Sequence, residues 1–450
     1  MRETTLLPLV VDRDADESMH AQLTGQLRGA MRDGRLAAGE RLPATRALAA
    51  RLGVSRTVVT EAYEQLYAEG WLEGRHGSGT YVAEGVTADP EPGPVAAGAA
   101  EPEGRDAIDL RPGLPWVGAL DTPAWRRAWR LASGVTPRWR QDPHGLPGLR
   151  AALAEHVRRN RGVSCQDVLV TRGATNGLDL LAATVLRPGD RVGVEEPGYR
   201  RARAVLAGRG AELVPCPVDE HGLIVEALPD GLRLVYTTPS HQFPMGGVLP
   251  VPRRRALLAW ARRTGALIAE DDYDGEFRYD VAPLPALYGL DPEVVVYLGT
   301  TAKILTIDMG VGWLVGRPDL VAAVARRRAE LNDRTPVVPQ EALRLLLERG
   351  DVDRHVRRMS REYARRRAAV VGALGGLRLR GDTAGLHLVV DVRGDADDVV
   401  RRAAARGVLV ETLAPHFAGP PAASGLVIGY GTAAGPAELR AGCAVVRELV

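Results

Sequence analysis

The sequence predicts two folded parts in one chain, a small helical module followed by a larger α/β domain. Three observations predict this. Residues 83–105 contain Ala, Gly, Pro and Glu with hardly any large apolar residue, which is typical of a linker. Apolar residues recur at helical spacing before the linker, and strand-like and helical runs alternate from about residue 167. We therefore expect a module over 1–82, a linker over 83–105 and a large domain over 106–450.

The composition is that of an ordinary globular protein, with 45% hydrophobic and 25% charged residues and a net charge of only +2. Three widely spaced cysteines without a CxxC pair argue against a disulfide framework or a zinc site and fit a reducing cytoplasm. The sequence shows neither a signal peptide nor an apolar stretch long enough to cross a bilayer. We expect a cytoplasmic protein with no membrane partner and no metal.

The N-terminal module has the pattern of a winged helix-turn-helix. Leu23, Leu27 and Met31 recur every four residues in a first helix. A second helix is expected around residues 44–52, and Ser55 is a good N-cap for a third. The run WLEGRHGSGTYV then predicts two short strands around a glycine-rich tip.

Local charge supports DNA as the partner of this module. Between Arg28 and Thr60, seven arginines stand against two acidic residues, a net charge of +5 (7 − 2). Arginine on a helix is more often solvated surface, so charge alone does not decide. The helix order, the N-cap and the basic wing together favour DNA binding.

Residues 34–82 resemble the GntR-type winged helix nearly end to end. The resemblance implies that the third helix enters the major groove while the wing reaches the neighbouring backbone. The DNA contacts that it implies are Arg46, Ser55, Arg56, Thr57, Thr60, His76 and Gly77.

In the large domain, polar residues follow strand-like runs. Asp271 and Tyr273 end the run ALIAEDDYD, Tyr199 follows RVGVEEP, and Lys303 follows VVVYLGT. The carboxyl ends of parallel strands meet at one edge of a sheet, where ligands bind. Lys303 is the only lysine, since 58 Lys plus Arg leave 57 arginines (58 − 1). An ammonium can lose its proton and attack a carbonyl, which a guanidinium does not do. The alternative is that this chain generally uses arginine in place of lysine and that one lysine remains by chance.

A lysine and a carboxylate at neighbouring strand ends are what pyridoxal 5′-phosphate (PLP) requires. The amine forms a Schiff base with the cofactor aldehyde, and the carboxylate keeps the pyridine nitrogen protonated. A phenol can hydrogen-bond the ring hydroxyl, while hydroxyl and backbone N–H groups hold the phosphate. Each of these residue types alone is more often ordinary surface or core. Their coincidence with the single lysine favours PLP.

The runs DPHGLPGLRAALAEH, TTPSHQFPMGG, EDDYDGEFRY and YLGTTAK resemble the fold-type I aminotransferase-like domain of MocR/GabR-type regulators. Those proteins join it to a GntR-like winged helix. The implied fold class is α/β, a winged helix-turn-helix plus a fold-type I PLP-dependent aminotransferase-like domain. The implied cofactor residues are Lys303, which carries the aldimine, Asp271 at the pyridine nitrogen, Tyr273 at the ring hydroxyl, Tyr199 beside the ring, and Thr300 and Thr175 at the phosphate.

Four positions depart from that family's pattern. Ala302 replaces a serine before the lysine, and Gly310 replaces an arginine that grips the phosphate. Val427 stands in place of an arginine for a substrate carboxylate, and Arg140 in place of a tyrosine. Loss of a charge-assisted phosphate contact would weaken cofactor binding by roughly 1.5–3 kcal/mol. Arg140 could supply a replacement cation across a dimer interface.

The leading hypothesis is a PLP-dependent transcriptional regulator that senses a small amine or amino acid. As a homodimer it would bind duplex DNA with two repeated half-sites. Two alternatives stay open: an aminotransferase with a DNA-binding domain, and a regulator whose aminotransferase-like domain no longer binds PLP. Val427 and Gly310 argue against efficient turnover of α-amino acids, and Gly310 with Ala302 favours the second alternative.

Overall fold

The structure, a computed structural model, describes residues 8–75, 79–84, 107–137, 139–140, 142–281, 283–381 and 383–450. The chain divides into two compact units, Met1–Glu103 and Gly104–Val450. The predicted linker lies almost entirely outside the described residues, so its boundaries stay a prediction. Among the described residues, no helix is both long and apolar enough to cross a membrane.

The first unit is the predicted winged helix-turn-helix. Its third helix begins where predicted, because the Ser55 hydroxyl accepts a hydrogen bond from Val58 N at 3.4 Å. The second helix ends at Gly53, whose φ of 65° is a left-handed conformation that suits glycine. Buried side chains such as Leu27 and Leu66 form one apolar core. The elements are α1 (Met19–Arg32), α2 (Thr45–Leu52), α3 (Arg56–Ala68), and the antiparallel strands β1 (Leu72–Arg75) and β2 (Gly79–Val82).

The second unit opens with a short strand, β3 (Ile108–Asp109), and is then built around a mixed sheet. The strands of that sheet are β4 (Leu169–Thr171), β5 (Arg191–Glu196), β6 (Glu212–Asp219), β7 (Gly222–Leu223), β8 (Leu234–Thr237), β9 (Leu267–Asp272), β10 (Val295–Thr300) and β11 (Gly312–Val315). In the described chain their order is β4-β11-β10-β9-β8-β5-β6-β7. The central pairs, from β10 to β6, are parallel, and the outer pairs are antiparallel. The largely parallel sheet expected from the sequence is confirmed.

Helices cover both faces of this sheet and create two separate cores. Adjacent residues on a strand point to opposite faces, so Ile268 packs in one core and Ala269 in the other. Strand β10 is buried along its whole length, as expected of a strand covered on both faces. The helices are α4 (Pro123–Ala132), α5 (Pro147–Arg161), α6 (Ala174–Val185), α7 (Arg200–Gly208), α8 (Val251–Thr264), α9 (Pro318–Glu330), α10 (Val337–Glu348), α11 (Asp351–Ala373), α12 (Ala396–Ala405) and α13 (Pro436–Leu449).

A smaller sheet near the C-terminus was not predicted from the sequence. Its region contains β12 (Leu379–Arg380), β13 (His387–Asp391), β14 (Val408–Leu409), β15 (Glu411–Thr412) and β16 (Gly425–Gly429). Within the described residues, four of these strands pair antiparallel in the order β12-β13-β16-β15, while β14 pairs with β3. Strands of two residues show too little alternation to be recognised from sequence.

Candidate functional site

Three successive acids end β9, and strand alternation sends them to opposite faces of the sheet. Glu270 accepts hydrogen bonds from two backbone N–H groups at 2.7 and 2.9 Å. Asp272 is held on the same side by the Arg161 guanidinium at 2.6 Å. Asp271 points the other way, where the Tyr236 hydroxyl donates to it at 2.6 Å. Asp271 therefore faces the candidate site, and Asp272 faces away from it.

Only one of the two carboxylate oxygens of Asp271 has a hydrogen-bond partner among the described residues. Its Oδ2 atom accepts from Tyr236, while its Oδ1 atom is buried and has no hydrogen-bond partner among the described residues. Burial raises the pKa of Asp271 to about 7, against the opposing effect of the Tyr236 hydrogen bond. A buried polar atom without a partner is destabilising, so a donor aimed at it would be favourable. A protonated pyridine nitrogen is such a donor, and the residues present therefore fit PLP at this position.

The raised pKa of Asp271 predicts how stability changes with pH. A carboxyl group with a higher pKa in the folded than in the unfolded chain holds its proton more tightly when folded. Its contribution to stability is therefore present at low pH and is lost as pH rises through about 7. In cofactor-free protein, the free energy of unfolding of wild type relative to Asp271→Asn should fall by up to about 1.4 kcal/mol per pH unit over this window. Urea unfolding at pH 5, 6 and 7 measures it; a difference independent of pH would contradict the assignment.

Lys303 follows β10 and lies in the same region as Asp271. Its ammonium donates a hydrogen bond to the carbonyl oxygen of Gly113. Burial lowers the pKa of Lys303, and the carboxylates of Asp274 and Asp271 offset only part of this effect. A lysine with a lowered pKa loses its proton more readily, which is the property that a nucleophilic amine needs.

Two predicted tyrosines, Tyr199 and Tyr273, contact Phe243, a residue that was not among the predicted site residues. The Phe243 ring centroid is 5.7 Å from that of Tyr199 and 6.0 Å from that of Tyr273. The Tyr273 hydroxyl donates to His241 O at 3.0 Å. Tyr199 hydrogen-bonds the side chain of Thr175, and burial raises its pKa, so both phenols stay protonated near neutral pH.

The predicted phosphate residues meet at the start of α6. Thr175 lies in its first turn, where backbone N–H groups have no partner within the helix and attract anions. An added Cβ atom at Gly173 would lie 3.7 Å from the Thr300 hydroxyl, so Thr300 borders the same helix end. Gly310 has a φ of 58°, a conformation that an arginine would adopt only with strain. The backbone conformation at this position therefore favours glycine over the arginine that the family pattern would place there.

A buried His–Asp pair adjoins Tyr273 and is likewise absent from the sequence reading. His241 Nδ1 lies 3.0 Å from Asp274 Oδ2, and His387 Nε2 lies 3.0 Å from Pro244 O. His241, Asp274 and His387 each bring a potential metal-ligand atom within 4.8 Å of the others. At Gly385, with φ 68°, an added Cβ would lie 2.0 Å from His241 Cε1, so a glycine is needed there. In the sequence, the run SHQFP at residues 240–244, shortly after β8, is the feature that could have indicated this pair.

The predicted DNA contacts lie on α2 and at the start of α3. Arg46, Ser55, Arg56 and Thr57 are exposed. The Thr60 hydroxyl donates to Arg56 O at 3.0 Å, which is a local helix contact. His76 and Gly77 lie outside the described residues. Among the arginines counted from sequence, Arg28 is paired with Glu69 at 2.6 Å, so its charge is partly offset.

Comparison with known families accounts for both units. Residues 20–82 match the family model of bacterial regulatory proteins of the gntR family, and residues 117–419 match that of aminotransferase class I and II. The chain is 37% identical to the HTH-type pyridoxine biosynthesis transcriptional regulator PdxR of Corynebacterium glutamicum, over 95% of each protein. It is 37% identical to the probable rhizopine catabolism regulatory protein MocR of Rhizobium meliloti, over 94% of this chain and 92% of that protein. The chain belongs to the MocR-like regulators. It is thus an HTH-type transcriptional regulator with an aminotransferase-like domain.

The large unit of this MocR-like regulator also resembles solved aminotransferases. The multiple substrate aminotransferase from Thermococcus profundus superposes with a TM-score of 0.72 at 25% identity, covering 77% of this chain and 92% of that one. The Pyrococcus horikoshii kynurenine aminotransferase gives 0.71 at 25% identity, over 76% and 90%. The class I and II aminotransferase family is PLP-dependent, and the fold-type I expectation is confirmed.

Proposed function

We propose that this MocR-like regulator holds PLP on Lys303 and uses it to sense a small amine or amino acid. One observation carries the proposal: a buried amine whose pKa is lowered by burial lies near a buried carboxylate, Asp271, that has an oxygen without a partner among the described residues. When bound, PLP supplies an aldehyde that condenses with primary amines and a ring nitrogen that binds a proton.

The surrounding residues have separate roles in this proposal. Asp271 would accept a hydrogen bond from the protonated ring nitrogen, and the Tyr236 hydroxyl, which donates to Asp271 Oδ2 at 2.6 Å, fixes the orientation of that carboxylate. Tyr273, which stays protonated, would turn its hydroxyl from His241 O to the ring hydroxyl, and Tyr199 would lie beside the ring. The first turn of α6 and the nearby threonine hydroxyls would hold the phosphate.

A second candidate is a regulator whose large domain has lost PLP. Gly310 favours it, because an arginine at that position would have supplied a charge-assisted phosphate contact. The buried, unpaired Asp271 oxygen favours the first candidate, because a domain without the cofactor would gain stability from an apolar residue at this position.

In our proposal the DNA contact is made by α3, with Arg56 in the major groove. Effector binding shifts the chain between two states by its difference in affinity for them. A homodimer that reads two repeated half-sites is the expected assembly, because a two-fold dimer presents two recognition helices to the duplex. The cytoplasm is the expected location.

The absorbance of the purified protein tests the proposal. After incubation with PLP and removal of the excess, the protein should absorb in the violet to near-ultraviolet, and borohydride should fix the cofactor on Lys303. A mobility-shift assay on the protein's own promoter should show that an amine effector changes DNA binding. As a control, Arg56→Ala should lose DNA binding and keep the absorbance. A colourless protein that ignores added PLP would favour the second candidate instead.

A further inference from the structure

Three buried side chains from separate elements of the large unit meet at one point. His241 lies in the loop after β8, Asp274 follows β9, and His387 is the first residue of β13. Each of them is 2% exposed. A potential metal-ligand atom from each lies within 4.8 Å of the other two. We call His241, Asp274 and His387 the buried triad.

The His387 ring offers one nitrogen to a ligand. Its Nε2 atom lies 3.0 Å from the carbonyl oxygen of Pro244. Because a carbonyl oxygen only accepts, Nε2 carries the hydrogen, and Nδ1 of the neutral ring keeps a lone pair. Histidines that bind metals usually donate their other ring N–H to a carbonyl or carboxylate in this way, which fixes the orientation of the ring.

The other two members of the buried triad have polar atoms without a partner. His241 Nδ1 lies 3.0 Å from Asp274 Oδ2. His241 Nε2 and Asp274 Oδ1 are buried, and neither has a hydrogen-bond partner in the described part of the chain. An unsatisfied polar atom inside a protein is costly. A bound cation would satisfy lone pairs that the protein itself leaves unused.

The charge of Asp274 is poorly compensated. The neighbouring buried carboxylate, Asp272, is paired with the Arg161 guanidinium. Among the described residues, the ion pair of Asp274 is instead with His241, which carries a charge only when protonated. A carboxylate buried without a cation is strongly unfavourable. A divalent metal ion would supply the missing positive charge.

Lys303 opposes a cation at this point. Its ammonium and the Asp274 carboxylate attract each other, although its hydrogen bond goes to Gly113 O. One positive charge nearby therefore weakens the attraction that Asp274 exerts on a metal ion. The two imidazoles are neutral donors that bind a metal by direct coordination, so the site does not depend on charge attraction alone.

The donor set selects the metal. Two imidazole nitrogens and one carboxylate oxygen suit zinc, whereas magnesium and calcium prefer oxygen ligands. Zinc binds such atoms at about 2.0–2.2 Å, so the three side chains would close around the ion, and a water molecule could take the fourth position. The cysteine pattern that argued against a zinc site does not concern these ligands, because none of them is a cysteine.

We propose that His241, Asp274 and His387 bind a zinc ion. The ion joins the segments after β8 and β9 to the first residue of β13, and so fastens the C-terminal sheet to the main sheet. Because the site forms as the chain folds, binding of the metal contributes to the stability of the large unit. This inference goes beyond the proposed function and does not require PLP.

The metal content of the full-length, untagged protein tests the inference. Wild type from zinc-supplemented cultures, washed with a chelator to remove loosely held metal, should retain about one zinc per chain by inductively coupled plasma mass spectrometry. His387→Gln and Asp274→Asn should each lose most of it. His156→Gln is the matched control, because His156 is another buried histidine beside an aspartate, with Nδ1 3.5 Å from Asp353, and it should keep the zinc.

Thermal unfolding supplies a second readout, which also serves if His387→Gln does not fold. Wild type from zinc-supplemented cultures should unfold at a higher temperature than wild type from zinc-depleted cultures, because a ligand that binds only the folded state stabilises it. The isosteric variant Asp274→Asn should unfold at the same temperature from both cultures. Zinc-free wild type from supplemented cultures would overturn the inference. So would zinc that both triad variants retain, or zinc that His156→Gln loses equally.

Discussion

Replacing Lys303 by arginine should abolish covalent attachment of PLP. A guanidinium stays protonated and does not condense with an aldehyde, whereas a lysine with a lowered pKa does. Arginine also keeps the positive charge near Asp271 and Asp274, so we expect the fold to survive. Borohydride treatment followed by intact-mass measurement should show one added cofactor in wild type and none in Lys303→Arg.

The sequence makes this experiment unusually clean. Because Lys303 is the only lysine, no second side-chain amine competes for the aldehyde. Promoter binding by cofactor-free wild type and by Lys303→Arg should be equal, which controls for damage to the DNA-binding unit. An undiminished borohydride-stable adduct on the variant would mean that the reactive amine lies elsewhere and would refute the site.

Replacing Arg161 by methionine should destabilise the large unit by about 3–5 kcal/mol, since it leaves a buried charge without its counter-ion. Both side chains of the Arg161–Asp272 pair are fully buried, with Nε 2.6 Å from Oδ2. After the substitution, Asp272 would keep the Tyr297 hydroxyl at 2.8 Å as a donor. Denaturant unfolding followed by near-ultraviolet circular dichroism measures the loss.

Two controls give this prediction its specificity. Adding Asp272→Asn to Arg161→Met should recover part of the stability, because the uncompensated charge is then removed. The exposed pair Arg126–Asp121 has a similar separation, 2.5 Å, with side chains 71% and 62% exposed. Arg126→Met should therefore lower the stability far less than Arg161→Met, because solvent screens the exposed pair. Equal losses for Arg161→Met and Arg126→Met would show that burial is not what makes the Arg161 pair important.

Local signals in the sequence were sufficient for much of the fold. The Ser55 N-cap marks the start of α3, and the apolar runs before Asp271 and Lys303 are the buried strands β9 and β10. The placement of Asp271 and Lys303 at one edge of the sheet follows from the rule that parallel strands have their carboxyl ends together. The resulting proximity of Lys303 and Asp271 is what the structure then provides.

Other features depend on contacts between distant residues, which periodicity does not record. Lys303 binds the carbonyl of Gly113, 190 positions earlier in the chain. Gly385 is required by the His241–Asp274 pair, and neither partner lies near it in sequence. The C-terminal sheet pairs strands as short as two residues, so its register, and with it the position of Val427, emerges only from the folded chain.

The alternation of Glu270, Asp271 and Asp272 limits how β9 can evolve. Because neighbouring side chains point to opposite faces, deleting or inserting one residue inside the strand would move each of these side chains to the other face of the sheet. The carboxylate that neutralises Arg161 would turn towards the lysine, and the one beside Tyr236 would turn into the opposite core. A single substitution in this strand affects one face of the sheet, but a change in its length by a single codon would disrupt the buried Arg161–Asp272 pair and the candidate PLP site together.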